Sequence, residues 1–106
     1  NKRLQKLAND NQIEDNLQRC LKYPLRFTGK KVSLIELGYS LVSSGDINNG
    51  NVEIKEMMNF LSTIFHIDLG DYYASYIAMK ERKDRTAYLH CLIENLIKRM
   101  NEDDMK

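Results

Sequence analysis

Between positions 80 and 85 four cationic side chains, Lys80, Arg82, Lys83 and Arg85, crowd into one short stretch. Clusters of this kind hold phosphate groups. They follow a run from Asp68 to Met79 whose tyrosines recur at helical spacing. On a helix, Leu69, Tyr72, Tyr73, Tyr76 and Ile77 share one side, joined by the stem of Lys80. The other side carries Ala74, Ser75, Ala78 and Arg82, small in its middle and basic at its end. Short outward side chains let a helix come close to a DNA groove or to a partner helix. The plain alternative is a core helix followed by a solvated, charged turn.

Nothing else in the chain has the spacing of a reactive site. Cys20 and Cys91 fall on apolar faces of expected helices and read as small core hydrophobes. A disulfide between them would require those two helices to pair closely. His66 and His90 lack Cys or carboxylate partners at zinc-site spacing, so no metal and no cofactor is expected. The glycines at 29, 38, 45, 50 and 70 are scattered and form no phosphate loop. No Ser, His and Asp set shares a motif, and the pattern predicts no catalysis.

The elements that must position the basic cluster read as helices. Residues 2 to 22 show helical spacing at Leu4, Leu7, Ile13, Leu17, Cys20 and Leu21, with a weak helix-forming stretch from Ala8 to Ile13 where a bend is expected. Pro24 ends that helix. Leu25 to Thr28 alternates apolar and polar and fits a short strand. Ser33-Leu34-Ile35-Glu36 has the form of a capping box opening a helix over 33–44, which stops near Ser44 and Gly45. Asp46 to Gly50 is a turn, with positive φ expected in Asn48-Asn49-Gly50. Asn51 is the expected cap of a helix over 52–65, and Asp68 of a helix over 69–82. A last helix runs from Asp84 or Thr86 to about Met100. Its stripe of Tyr88, Leu89, Leu92, Ile93, Leu96, Ile97 and Met100 reads as core, and the tail after it as frayed. The fold class expected is all-α, about five helices, with at most a minimal two-strand element and no wing. The pair over 52–65 and 69–82 has helix-turn-helix spacing.

At 106 residues, 42% hydrophobic and 29% charged, the chain has the makings of one core. Residues 1–24 read as a leading helix and 25–106 as the domain proper. A chain that opens on Asn1 is expected to be a piece of a longer one, with any targeting segment outside it. No apolar run has the length of a membrane span. The net charge of +1 hides an asymmetry. Residues 1–31 hold eight Lys or Arg against three acids, residues 32–75 one against six, and the remainder seven against six. A nucleic-acid site must therefore draw on the two ends of the chain.

Five blocks taken in order carry a family resemblance. They are Leu25-Arg26-Phe27-Thr28-Gly29, Leu34-Ile35-Glu36-Leu37-Gly38-Tyr39, Ile47-Asn48-Asn49-Gly50, Phe65 through Tyr73, and Arg82-Lys83-Asp84-Arg85-Thr86. In these the chain resembles the RteC family of bacterial regulators, from about Leu25 to Leu96, in what corresponds to their C-terminal part. The resemblance implies a cytoplasmic, DNA-binding transcriptional regulator of excision genes on conjugative transposons of Bacteroidetes, of the kind induced by tetracycline. It also implies a helix-turn-helix-like domain behind an N-terminal domain that is not in this sequence. Phe27 stands where a tryptophan is expected. Ala74 stands where members often carry a basic residue, which takes one DNA contact off that face.

Double-stranded DNA is accordingly the expected partner. Arg82, with Ser75, is expected at base edges, and Lys80, Lys83 and Arg85 on phosphate. Lys30 and Lys31 are expected on phosphate at the other side of the helix over 69–82. The competing expectation, from a different class, is a helical interaction domain that docks a partner or forms a homodimer, without DNA and without membrane. Tyr39, Tyr72, Tyr73 and Tyr76 are expected to close the core rather than stack on bases.

Overall fold

A computed structural model describes residues 2–23 and 25–106, with 2–9 as backbone. Pro24 and the side chains of Leu4, Leu7 and Ala8, all named above, lie outside the described residues. Five helices follow one another: α1 (Lys2–Lys22), α2 (Lys31–Ser44), α3 (Ile54–Phe65), α4 (Tyr72–Lys80) and α5 (Ala87–Asp104), with a 3-10 turn at Asn48–Gly50 before α3. The all-α class holds. No strand forms among the described residues, and Leu25–Thr28 carries no regular secondary structure.

The helix α2 is the hub. Its mean hydropathy is high, it is buried at Leu34, Ile35, Glu36 and Gly38, and α3, α4 and α5 each pack on it rather than chiefly on one another. Met57, Met58 and Leu61 of α3, Leu69 and Met79 complete the core. Gly38 sets how near α3 can come. A Cβ at that position would sit 2.6 Å from Met58 Cε and 2.9 Å from Leu61 Cδ1. Phe27 closes one end, edge-on to Phe65 at 6.0 Å and to Tyr88 at 6.4 Å between ring centroids. At the other side Tyr39 of α2 and Tyr76 of α4 stack at 4.1 Å with planes 4° apart. Burial, and after it the neighbouring Tyr76, push the Tyr39 phenol above its ordinary range.

Several boundaries differ from those expected, each for a local reason. The helix α2 starts at Lys31, on Lys30, and not at a Ser33 cap. Glu36 does not reach back to complete a capping box because its two carboxylate oxygens are taken by Arg82 and the Leu89 amide. A box glutamate is found instead one helix later, where Glu56 Oε1 accepts the Glu53 amide at 3.1 Å, so α3 begins after Glu53 rather than at Asn51. Asp68 does not cap a helix: its Oδ1 accepts the Gly70 amide at 2.9 Å in a tight turn. Gly70 takes φ +60° and Asp71 forms a γ-turn beneath the Tyr72 amide, so the helix waits until Asp71, whose Oδ1 accepts the Ala74 amide at 3.0 Å. The turn at 48–50 has the positive φ expected: Asn48 +51°, Asn49 +57° and Gly50 +84°.

The two terminal helices depart most. Helix α1 runs unbroken through Ala8–Ile13, yet Ile13, Leu17 and Leu21 are exposed. Only Ala87, Tyr88 and Leu89 of α5 are half-buried; beyond them Leu92, Ile93, Leu96, Ile97 and Met100 face solvent, and the helix continues through the tail to Asp104. Cys20 and Cys91 are free thiols on the surface, not core residues. Periodicity reports that a helix has an apolar face; it does not report what covers that face.

Candidate nucleic-acid interface

The basic stretch after α4 is a turn tied down by its own chain. Glu36 is the anchor, only 3% exposed. Arg82 Nη2 donates to Glu36 Oε1 at 2.8 Å, and the Leu89 amide donates to Glu36 Oε2 at 2.9 Å. One carboxylate thereby clamps the turn after α4 and the first turn of α5 onto α2. Arg85 Nε donates to the Lys80 carbonyl at 3.0 Å, closing the turn on the end of α4. Asp84 finishes it: its Oδ1 accepts the Thr86 amide at 3.1 Å, and its Oδ2 lies 2.8 Å from His90 Nδ1. The hydrogen bond from His90 holds the Asp84 carboxyl below its usual range, and the same bond raises the His90 imidazole.

These ties decide which cationic heads are offered to solvent. Lys80 is exposed, its ammonium 5.4 Å from the Tyr76 ring centroid. Lys83 and Arg85 are exposed. Arg82 is half-buried, with its guanidinium committed to Glu36 and its Nε enclosed without a partner. Ser75 is half-buried too, its hydroxyl turned back to the Asp71 carbonyl at 3.3 Å. Lys30 and Lys31 are exposed at the start of α2. Lys31 stands about 7.5 Å along the helix axis from Glu36. On α4, Ala74 and Ala78 are exposed as expected, but Tyr73 belongs with them: it is 65% exposed, not on the core side. Sequence reading missed Glu36 and Met79 as organisers. The signal for Glu36 was present, an acid inside the apolar stretch Leu34 to Leu37, but it matched a capping box equally well.

Between α2, α4 and the turn lies a shallow hollow of about 280 Å³ lined by Tyr39, Ser43, Tyr76, Lys80 and Arg85 among others. Among the described residues no three His, Cys, Asp or Glu side chains are grouped to hold a metal ion. None of the described helices is long and apolar enough to cross a membrane.

The family model described as RteC protein matches residues 1–104. The chain belongs to the RteC family. Membership points to a role in the regulation of conjugative-transposon excision. No curated protein and no solved structure matches the chain. The RteC match includes α1, which the resemblance noted above, beginning near Leu25, did not reach. The residues of the Glu36 clamp fall inside the matched span, as do all seven residues expected at DNA.

Proposed function

We propose that this RteC-family chain binds double-stranded DNA and regulates transcription of excision genes from it. The observation that supports the reading most is the locked turn at 80–85. The side chains of Arg82 and Arg85 tie it to Glu36 and to the Lys80 carbonyl, and Asp84 holds the Thr86 amide, while Lys80, Lys83 and Arg85 remain exposed residues. Cations held on a rigid frame lose less entropy on meeting a phosphate than cations on a mobile loop. The start of α2 adds a second cationic point. It opens on Lys30 with no side-chain cap, so free amides, helix dipole and the ammonium groups of Lys30 and Lys31 share one sign.

Helix α4, with Tyr73, Ala74 and Ala78 outward, is the element we assign to the groove. Lys30, Lys31, Lys80, Lys83 and Arg85 then hold phosphate. Ser75 contributes to base edges only if its hydroxyl leaves Asp71. Arg82 acts as a positioning residue that keeps the turn on α2.

The test is fluorescence anisotropy on random duplex DNA at about 50 and 200 mM salt. Five phosphate contacts give a log–log slope near −4.5, a loss of affinity of about 500-fold over that range. No binding at the lower salt would overturn the reading. A helical interaction domain is the second reading, and the exposed apolar faces of α1 and α5 favour it; its binding would change little with salt.

A further inference from the structure

The chain leaves two apolar helical stripes uncovered, and they fit one another. On α1 the stripe is Ile13, Leu17, Cys20 and Leu21; on α5 it is Leu92, Ile93, Leu96, Ile97 and Met100. The large members are between 37% and 67% exposed. The intervals 13, 17, 20 and 93, 96, 100 are mirror images, the alternation of three and four that lets helices interlock side by side. Laid antiparallel, Ile13 comes level with Met100, Leu17 with Leu96, Cys20 with Ile93 and Leu21 with Leu92.

Charge selects the same direction. In that register Glu14 and Asp15 come level with Arg99 and Lys98, and Arg19 with Glu94. The one like-signed level, Asp10 with Asp103, lies at the outer end, where both side chains can turn to water. A parallel register with equivalent apolar matches would set Glu14 beside Glu94 and Arg19 beside Arg99. Like charges at such distances oppose pairing.

We infer that α1 of one copy seats antiparallel on α5 of a second copy, and that the exchange is reciprocal. The chain's own α1 does not take this seat: among the described residues α1 and α5 both present their stripes to solvent. A two-fold arrangement covers both stripes of both copies at once. The exposed apolar area amounts to roughly 700 Å² per copy, so the pair buries about 1,400 Å², inside the range of stable, specific interfaces.

Two measurements on the whole chain test this. Sedimentation equilibrium is expected to show a species of twice 12.4 kDa, and Leu96→Glu to return it to monomer with its helical circular dichroism intact. Leu96 is exposed within one copy, so the substitution leaves the core alone. A monomer in the parent chain, or a dimer that survives Leu96→Glu, overturns the inference. The second measurement places Ile93→Cys in a Cys91→Ser background and oxidises it. A disulfide from Cys20 to the new sulfur that links two chains on a non-reducing gel supports the exchange. The same bond closed within one chain, or thiols that stay free, overturns it.

Discussion

Arg82 and Glu36, forty-six residues apart in the chain, meet at 2.8 Å, and the same carboxylate takes the Leu89 amide on its other oxygen. One buried acid thus joins the start of the core to the turn that precedes α5. Ion pairs of this sort hold geometry more than they add stability, but breaking one strands a charge.

Arg82→Ala is expected to lower the unfolding free energy by about 2–3 kcal/mol, less than for a fully buried pair because a third of the arginine side chain is in water. Glu36→Ala should cost a similar amount, and the double variant less than the sum of the two. Urea denaturation of all three variants is the check. Additive losses would show that the pair is not coupled.

Gly38→Ala is expected to destabilise in spite of alanine's better helix propensity. The gain of about 0.5–1 kcal/mol is outweighed by forcing a methyl against Met58 and Leu61, an overpacking cost of roughly 1–3 kcal/mol. Thermal melts would register the lower Tm; a raised Tm would mean that the α2–α3 seam yields more easily than its packing suggests.

The His90–Asp84 pair gives a pH dependence at the start of α5. His90 titrates above its ordinary 6.5, so its contribution is full below that value and fades as pH rises through the raised one. Asp84 titrates below 3.8, so its contribution is present above 3.8 and is lost as pH falls through the lowered value. The pair is therefore strongest between about pH 4 and 6.5. In an NMR titration, Asp84→Asn should bring the His90 midpoint down, and added salt should narrow the difference.

Asp71→Ala removes the acceptor of the Ala74 amide at the head of a nine-residue helix. A loss of about 1 kcal/mol is expected by urea denaturation, whereas Asp68→Ala, which touches only a turn amide, should cost less.

On the proposed DNA reading, Lys83→Ala and Lys31→Ala should each weaken binding to all sequences alike. Each should also reduce the salt slope by about 0.9. Anisotropy titrations on target and random duplexes would show this, and an unchanged slope would remove that lysine from the interface.

The helical class, the α2 and α3 spans and the positive-φ asparagines were readable from the sequence because each rests on neighbours within a few residues. Start sites were less so. Ser33 and Glu36 have the form of a cap, and only the arrival of Arg82 and Leu89 from far along the chain shows that Glu36 is engaged elsewhere. The fate of the α5 stripe was not readable at all: Leu92, Ile93 and Leu96 have the same period whether a neighbour covers them or water does. For the basic residues, their types were plain, but the split between Arg82, held inward, and Lys83, left outward, depends on one buried carboxylate.

Because α3, α4 and α5 all dock on α2, the core has no second piece that could persist once α2 lets go. In a single copy, amide exchange across Leu34–Leu41 should then proceed only through whole-molecule opening, while the outer turns of α5, until a second copy covers them, swap their hydrogens by local fraying. A protein arranged this way has one cooperative unit with an open-ended arm, and the arm can be reshaped without the unit losing its grip.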